Sequence, residues 1–481
     1  MERRKALKQI GWGLSGGILM PSLLNACAPK DPAPEVVYDG TVGVIGAGAA
    51  GLYLADILRT KGVKVVVFEA RDQIGGRIRS LRNQSIDQYP YLPQMSSDFP
   101  IELGAQTIVG SDSILGKVFQ AYNLATTEFL PSGHNFVMDG KVKSEADWGS
   151  DPDFLAAKNF KTNVKSYSGS SLSVQQEIVA AAINSRAHGM LNGQIGNAYG
   201  STNEKIGIGA LGEAEKLRTN DGKILGPKTN PMHDVLISRF NSIQSLVQLS
   251  TPIASINYST DPITLTAKDG TTHTVNKVVV TVPISILKNG SLAFSPALPT
   301  AITSSLTKFA MGASLRVVLE FKKNFWGDTV GFIFGTANVP EYFSVGVGRS
   351  LFNRTLSVTV NGEKASQYSA LGDGVVEVLL ADLDLIYNKQ ATQFIRQDLT
   401  TLKNIFVRHD WTKTDYILGG YAYPLPGAKT DDRKAIGQSV NKKLFFAGEA
   451  TDITGQAGMV NGALASAERA AQQVVESINN P

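Results

Sequence analysis

Gly43 to Arg77 reads GVIGAGAAGLYLADILRTKGVKVVVFEARDQIGGR, and this stretch narrows the fold more than any other part of the chain. Thr41 to Ile45 is a short apolar run that predicts a strand. Ala50, Leu54, Ile57 and Leu58 recur at helical spacing, and Gly62 stops the helix. Val63 to Phe68 predicts a second buried strand, closed by Glu69. Gly46, Gly48 and Gly51 fit G-x-G-x-x-G in the turn between strand and helix. The first Gly permits the turn, the second lets backbone approach a pyrophosphate, and the third lets the helix pack on the strand. The helix N-terminus then faces the phosphates. Glu69 falls 18 residues past Gly51, where a carboxylate accepts hydrogen bonds from ribose hydroxyls. An α/β protein with a Rossmann-like dinucleotide-binding domain is expected. The stretch alone leaves NAD and FAD both open.

Gly75-Gly76-Arg77 supplies a second phosphate contact, two glycines for close backbone and a guanidinium fork. With the upstream fingerprint, ARDQIGGRIRS (Ala70 to Ser80) resembles the flavin amine oxidase family, monoamine and polyamine oxidases among them. Carotenoid desaturases and protoporphyrinogen oxidases are its relatives. KLFFAGEATDITGQAGMVNGALASAERAAQQV, Lys442 to Val474, resembles the family's C-terminal FAD segment, although alone it also fits a final amphipathic helix. The resemblance implies non-covalent FAD held by Gly46, Gly48, Gly51, Glu69, Arg71, Gly76 and Arg77 at one end of the chain. At the other end it implies Gly448, Glu449, Met459 and Val460, with Glu449 near the ribityl-pyrophosphate and the helix N-terminus at the flavin. A partial positive charge there stabilises a reduced, anionic ring. IELGAQTIVG is similar to the segment that passes the flavin at Gly104 and Ala105, and Ile253 is similar to the residue that meets the adenine.

The similarity runs through most of residues 41–475 and is loose from about 111 to 230, where helices are expected. The implied FAD-binding domain is discontinuous, 39–110, 228–295 and 420–477. A mixed α+β substrate domain fills 111–227 and 296–419.

The first residues point elsewhere in the cell. MERRKALKQIGWGLSGGILMPSLLNAC has a basic start, an apolar middle and a small-residue end, the pattern of an export signal over 1–27. Its apolar part is too short to span a membrane. Arg3-Arg4 resembles a twin-arginine signal for export of folded protein, and LLNAC resembles a lipobox that lipidates Cys27. The rival readings are a basic helix of the mature fold and a buried cysteine. Residues 28–38, Pro-rich, then form a tether, and the protein is expected in the periplasm or at the cell surface, membrane-anchored. Cys27 is the single cysteine of 481 residues, so no internal disulfide forms. Residues 1–26 carry a net +3 of the chain's +4, leaving a remainder near neutral that lacks the basic surface of a nucleic-acid binder. The five His form no metal-spaced cluster, so no metal site is expected.

Three positions bear on the chemistry, a neutral amine giving hydride to flavin N5 with O2 as final acceptor. Tyr421 is similar to one wall of the family's aromatic cage, which orients an amine partly by cation–π attraction. A core Tyr is the other reading. Met459 occupies the place of the second wall. Arg316 stands where the family has a Lys that holds a water at flavin N5; Arg keeps its charge permanently. A strand residue facing solvent is the alternative for Arg316. Gly420 replaces the Cys that binds flavin covalently in monoamine oxidases. Gln106 lacks the following Arg that grips the carboxylate in L-amino-acid oxidases. Three functions stay open: an amine oxidase, an FAD desaturase, dehydrogenase or isomerase of an apolar substrate, and a non-catalytic FAD-binding lipoprotein. Oligomeric state is not legible.

Overall fold

The computed structural model describes residues 36–81, 95, 99–350 and 353–480. Arg3, Arg4, Cys27 and most of the tether lie outside the described residues.

Strand β1 (Thr41–Ile45), helix α1 (Ala49–Thr60) and strand β2 (Lys64–Phe68) form where the apolar pattern places them. β1 and β2 pair in parallel, Thr41 opposite Lys64 through Ile45 opposite Phe68. They belong to a five-stranded parallel sheet. β1 is central. β2 and Val247–Gln248 lie to one side, Lys277–Val280 and Leu444–Phe446 to the other. This is the doubly wound order, and it opens a crevice where the order reverses, between β1 and Lys277–Val280. Thr281 Oγ1 stitches that crevice, lying 2.9 Å from Ile45 O and 3.1 Å from Gly46 O.

A meander, Ile253–Asn257, Ile263–Ala267 and Thr272–Val275, covers one side. It turns at Asp261-Pro262 and Asp269-Gly270 as the alternation predicts, with Gly270 at φ 88°.

The second layer is a seven-stranded sheet built around β3 (Ser314–Glu320). β3 is buried throughout and pairs antiparallel with Thr355–Asn361 and Phe406–Asp410. Alternation assigns its faces. Leu315, Val317 and Leu319 join Tyr342 and Ile333 in a core beneath the helix Val375–Ile386. Arg316, Phe332, Phe334 and Glu341 face the other way, into a cavity. Helices Pro152–Thr162, Val174–Ala180 and Ile208–Leu217 form in the loosely matching region, together with a π-helix, Asn192–Asn197. Helix α2 (Val460–Asn479) returns the chain to the first layer, where buried Ala467, Ala470 and Ala471 let it pack closely on α1. Among the described residues no helix is long and apolar enough to cross a membrane.

Candidate active site

One cavity of about 1380 Å³ runs from β2 and the meander, past the glycine turn, to the helices of the second layer. A single small-molecule site typically occupies roughly 300–1,000 Å³. This space exceeds that of a single small-molecule site.

The glycine turn has the required shape. Gly46 sits at φ 107°, in the region that favours glycine. A Cβ on Gly51 would stand 1.9 Å from Gly46 O, so α1 approaches β1 only because Gly51 has none. A Cβ on Gly48 would meet nothing within 4 Å, and that open side faces the cavity at the first residue before α1. Gly75 pairs with Gly48, and Gly75 and Gly76 take φ 107° and 59°, laying the second loop against the first. Glu69 is buried at the end of β2. Its Oε2 accepts from Ala47 N at 2.7 Å and its Oε1 from Arg71 N at 3.0 Å. Burial raises its pKa. Arg71, Ile253 and Lys268 line the same end.

The two ends of the sequence meet on a carboxylate. Arg77 Nη1 donates to Glu449 Oε1 at 2.8 Å and to Gly420 O at 2.9 Å. Glu449 Oε1 also accepts from Ala422 N at 3.2 Å, and Oε2 accepts from Gly458 N at 3.1 Å. Gly448 precedes it at φ 123°. Met459 caps α2 and Val460 begins it, both on the cavity wall. Gly104 crosses so close to Arg77 that a Cβ would lie 1.8 Å from Arg77 O, and Ala105 N donates to that oxygen at 3.2 Å. Every position expected to touch the cofactor except Gly51, which packs against Gly46 O, lines one cavity.

Arg316 is buried, which removes the solvent-facing alternative. Its Nη2 donates to Gly104 O at 3.1 Å, and its Nη1 donates to Ser357 Oγ at 3.0 Å and to Gln106 Oε1. Nε has no partner among the described residues. Burial lowers its pKa to about 10, which leaves it a cation at neutral pH. The Tyr421 ring lines the cavity, and its hydroxyl is pinned 3.0 Å from Ala198 O, 3.1 Å from Asn197 O and 3.3 Å from Asn361 Nδ2. Burial raises its pKa, so it stays a phenol.

Glu341 was not singled out from the sequence. It lines the cavity on the same sheet face as Arg316, and burial lifts its pKa to about 7 against the opposing effect of Arg316. A lone acid inside EYFS has no local signature that separates it from a surface acid. Among the described residues no cluster of His, Cys, Asp and Glu could hold a metal ion.

The family model for flavin-containing amine oxidoreductases matches residues 49–180 and 226–475. The chain belongs to that family. Within it, human lysine-specific histone demethylase 2 is 24% identical over 462 residues, covering 91% of this chain and 53% of the relative. The chain thus spans about half the length of such curated relatives. Polyamine oxidase 4 of Oryza sativa subsp. japonica is 22% identical, covering 95% of this chain and 91% of the relative. Cyclohexylamine oxidase from Brevibacterium oxydans IH-35A has the same fold, with a TM-score of 0.75 at 20% identity, covering 92% of this chain and 100% of that one. A putrescine oxidase gives 0.74 at 17% identity, covering 91% and 99%. The mixed α/β amine oxidoreductase fold agrees with this membership, and the family's description implies a flavin.

Proposed function

We propose that this chain is an amine oxidase with non-covalently bound FAD. The observation that carries the reading is that one cavity has a dinucleotide cradle at one end and the Arg316–Tyr421 wall at the other. FAD fits what is there: a turn that no Cβ would allow at Gly51, an open backbone at Gly48, and a volume beyond a single small ligand. When bound, the flavin supplies a hydride acceptor that O2 reoxidises to give hydrogen peroxide.

The residues of the chain would do the rest. Gly46, Gly48, Gly76 and the start of α1 would receive the pyrophosphate, with Gly51 letting α1 close on β1, and Glu69 would receive the ribose. Arg77, tied to Glu449, would hold the second loop in place while its outer face offers charge to the phosphates. Val460 would present the α2 N-terminus to the ring. The Tyr421 ring orients the amine, with Met459 opposite in place of a second aromatic. Arg316 would hold Gly104 and Gln106 in place and supply a permanent positive charge to the cavity wall. That charge favours a neutral amine over an ammonium ion. Gly420 provides no thiol for covalent attachment.

Heat-denatured holoprotein is expected to release its yellow cofactor as intact FAD, and amines are expected to bleach it without air. Cofactor retained on the precipitate would contradict the non-covalent reading. Met459 and the apolar wall of Phe136, Phe332 and Phe334 favour a second reading, dehydrogenation of an apolar substrate with electrons passed to a quinone. Reduction by a polyene with little peroxide would support it. We also propose the three-piece FAD domain described above, twin-arginine export and a lipid on Cys27.

A further inference from the structure

The outer end of the cavity is charged in a way the amine chemistry does not use. Lys158 and Lys161 on helix Pro152–Thr162, and Lys165 on the turn Val164–Tyr167, all line it with Phe154. The spacings of four and three residues put Phe154, Lys158 and Lys161 on one face of the helix, and Lys165 follows on the next turn. Glu145, Glu215 and Arg218 line the same region. Lys158 is paired with Glu145 at 2.6 Å and Arg218 with Glu215 at 2.9 Å. The Tyr199 hydroxyl also donates to Glu215, at 2.9 Å. Both acids are therefore engaged. Lys161 and Lys165 form no ion pair among the described residues, and the region keeps two uncompensated cations.

Lys161 is exposed to solvent and lines the cavity wall. Burial lowers its pKa, despite attraction from Glu215. His134, also on the wall, is held neutral by burial, with its pKa lowered to about 4, and so adds no charge. Between this end and Tyr421 the wall is apolar, with Phe136, Phe332, Phe334, Met190 and Leu211. A cation on the wall of a cavity attracts an incoming anion and repels a second cation.

We propose that the substrate is an amine with a carboxylate at its far end, an ω-amino acid or a larger molecule built that way, and that Lys161 receives the carboxylate. This rests on the amine oxidase reading, because it assigns the opposite end of the same substrate. The apolar wall takes the intervening methylene chain. A diamine would place its second ammonium beside Lys161 and be disfavoured. The arrangement differs from a grip on an α-carboxylate, since the anion binds remote from the reacting carbon.

The test uses holoprotein and three compounds of equal chain length: an alkylamine, the matching diamine and the matching ω-amino acid. The ω-amino acid is expected to reduce the flavin with the highest kcat/KM. Lys161→Met is expected to lower the ratio of kcat/KM for the ω-amino acid to that for the alkylamine about tenfold. A wild-type preference for the diamine, or an unchanged ratio in Lys161→Met, would overturn the proposal. A second readout needs no turnover: thermal stabilisation of the holoprotein by a straight-chain carboxylate. If no amine reduces the flavin, the oxidase reading falls by itself. The anion site is then decided by whether Lys161→Met abolishes that stabilisation, which supports it, or leaves it intact, which overturns it.

Discussion

Glu449 accepts hydrogen bonds from Arg77, Ala422 N and Gly458 N, and so joins three segments that enclose the cavity. Removing the carboxylate would strand the Ala422 and Gly458 amides and leave Arg77 only its bond to Gly420 O. Glu449→Ala is expected to lose about 3 kcal/mol of stability and most of its bound flavin, read by urea unfolding and cofactor content. Gly51→Ala is a purely steric test. Its Cβ would stand 1.9 Å from a backbone oxygen, and nothing flexible is there to yield. Its expected result is loss of soluble flavoprotein, since overpacking of this kind costs about 3 kcal/mol or more. Glu341 gives a pH test. Its folded pKa of about 7 lies above the ordinary 4.5, because burial disfavours the charged form. Between those values the unfolded chain sheds its proton while the folded chain keeps it, so stability falls as pH rises. Glu102, buried against Ser80 and Met232 N and also raised to about 7, has the same sign. Glu341→Gln should therefore raise the melting temperature relative to wild type above pH 7 and not below pH 4.5. Equal shifts at both ends would contradict this.

At the scale of elements, the π-helix Asn192–Asn197 and the segment carrying Tyr421 hold each other through the phenol. Tyr421→Phe keeps the ring and loses the hydroxyl, so a stability loss of about 1 kcal/mol is expected with amine oxidation retained. Tyr421→Ala removes the wall, and kcat/KM for amines is expected to fall about tenfold or more. A Phe variant as inactive as the Ala variant would assign the role to the hydroxyl. The elements differ in how far the sequence disclosed them. The strand, glycine turn, helix and closing acid were legible because every constraint on them is local: a turn, a periodicity, a capping position. α2 was legible from its alanine face. The pairing of Arg77 with Glu449, 372 residues apart, has no spacing rule and was not foreseen from the sequence. The solvent-facing option for Arg316 arose because a single strand does not say which layer covers it. β3 turned out to be buried on both faces. Glu341 and Lys161 escaped notice for another reason. One acid in a short strand and one lysine on a polar helix look like surface, and only the concave wall around them gives them meaning.

At the scale of the whole molecule, a parallel sheet carrying the nucleotide turn faces an independent seven-stranded sheet, and the cavity lies between them. A cofactor held in this cavity would enter as the chain folds, which is the reason for proposing export of folded protein. Replacing Arg3-Arg4 by Lys-Lys is expected to leave holoprotein in the cytoplasm; unimpaired export would reject the twin-arginine reading. The central claim is that the cavity oxidises an amine on a flavin. The most direct measurement is the visible spectrum of purified holoprotein mixed without air with mono-, di- and amino-acid amines, then exposed to air. Bleaching by one amine class, followed by recovery of colour with one equivalent of hydrogen peroxide, is the expected result. A yellow protein that no amine bleaches would contradict it.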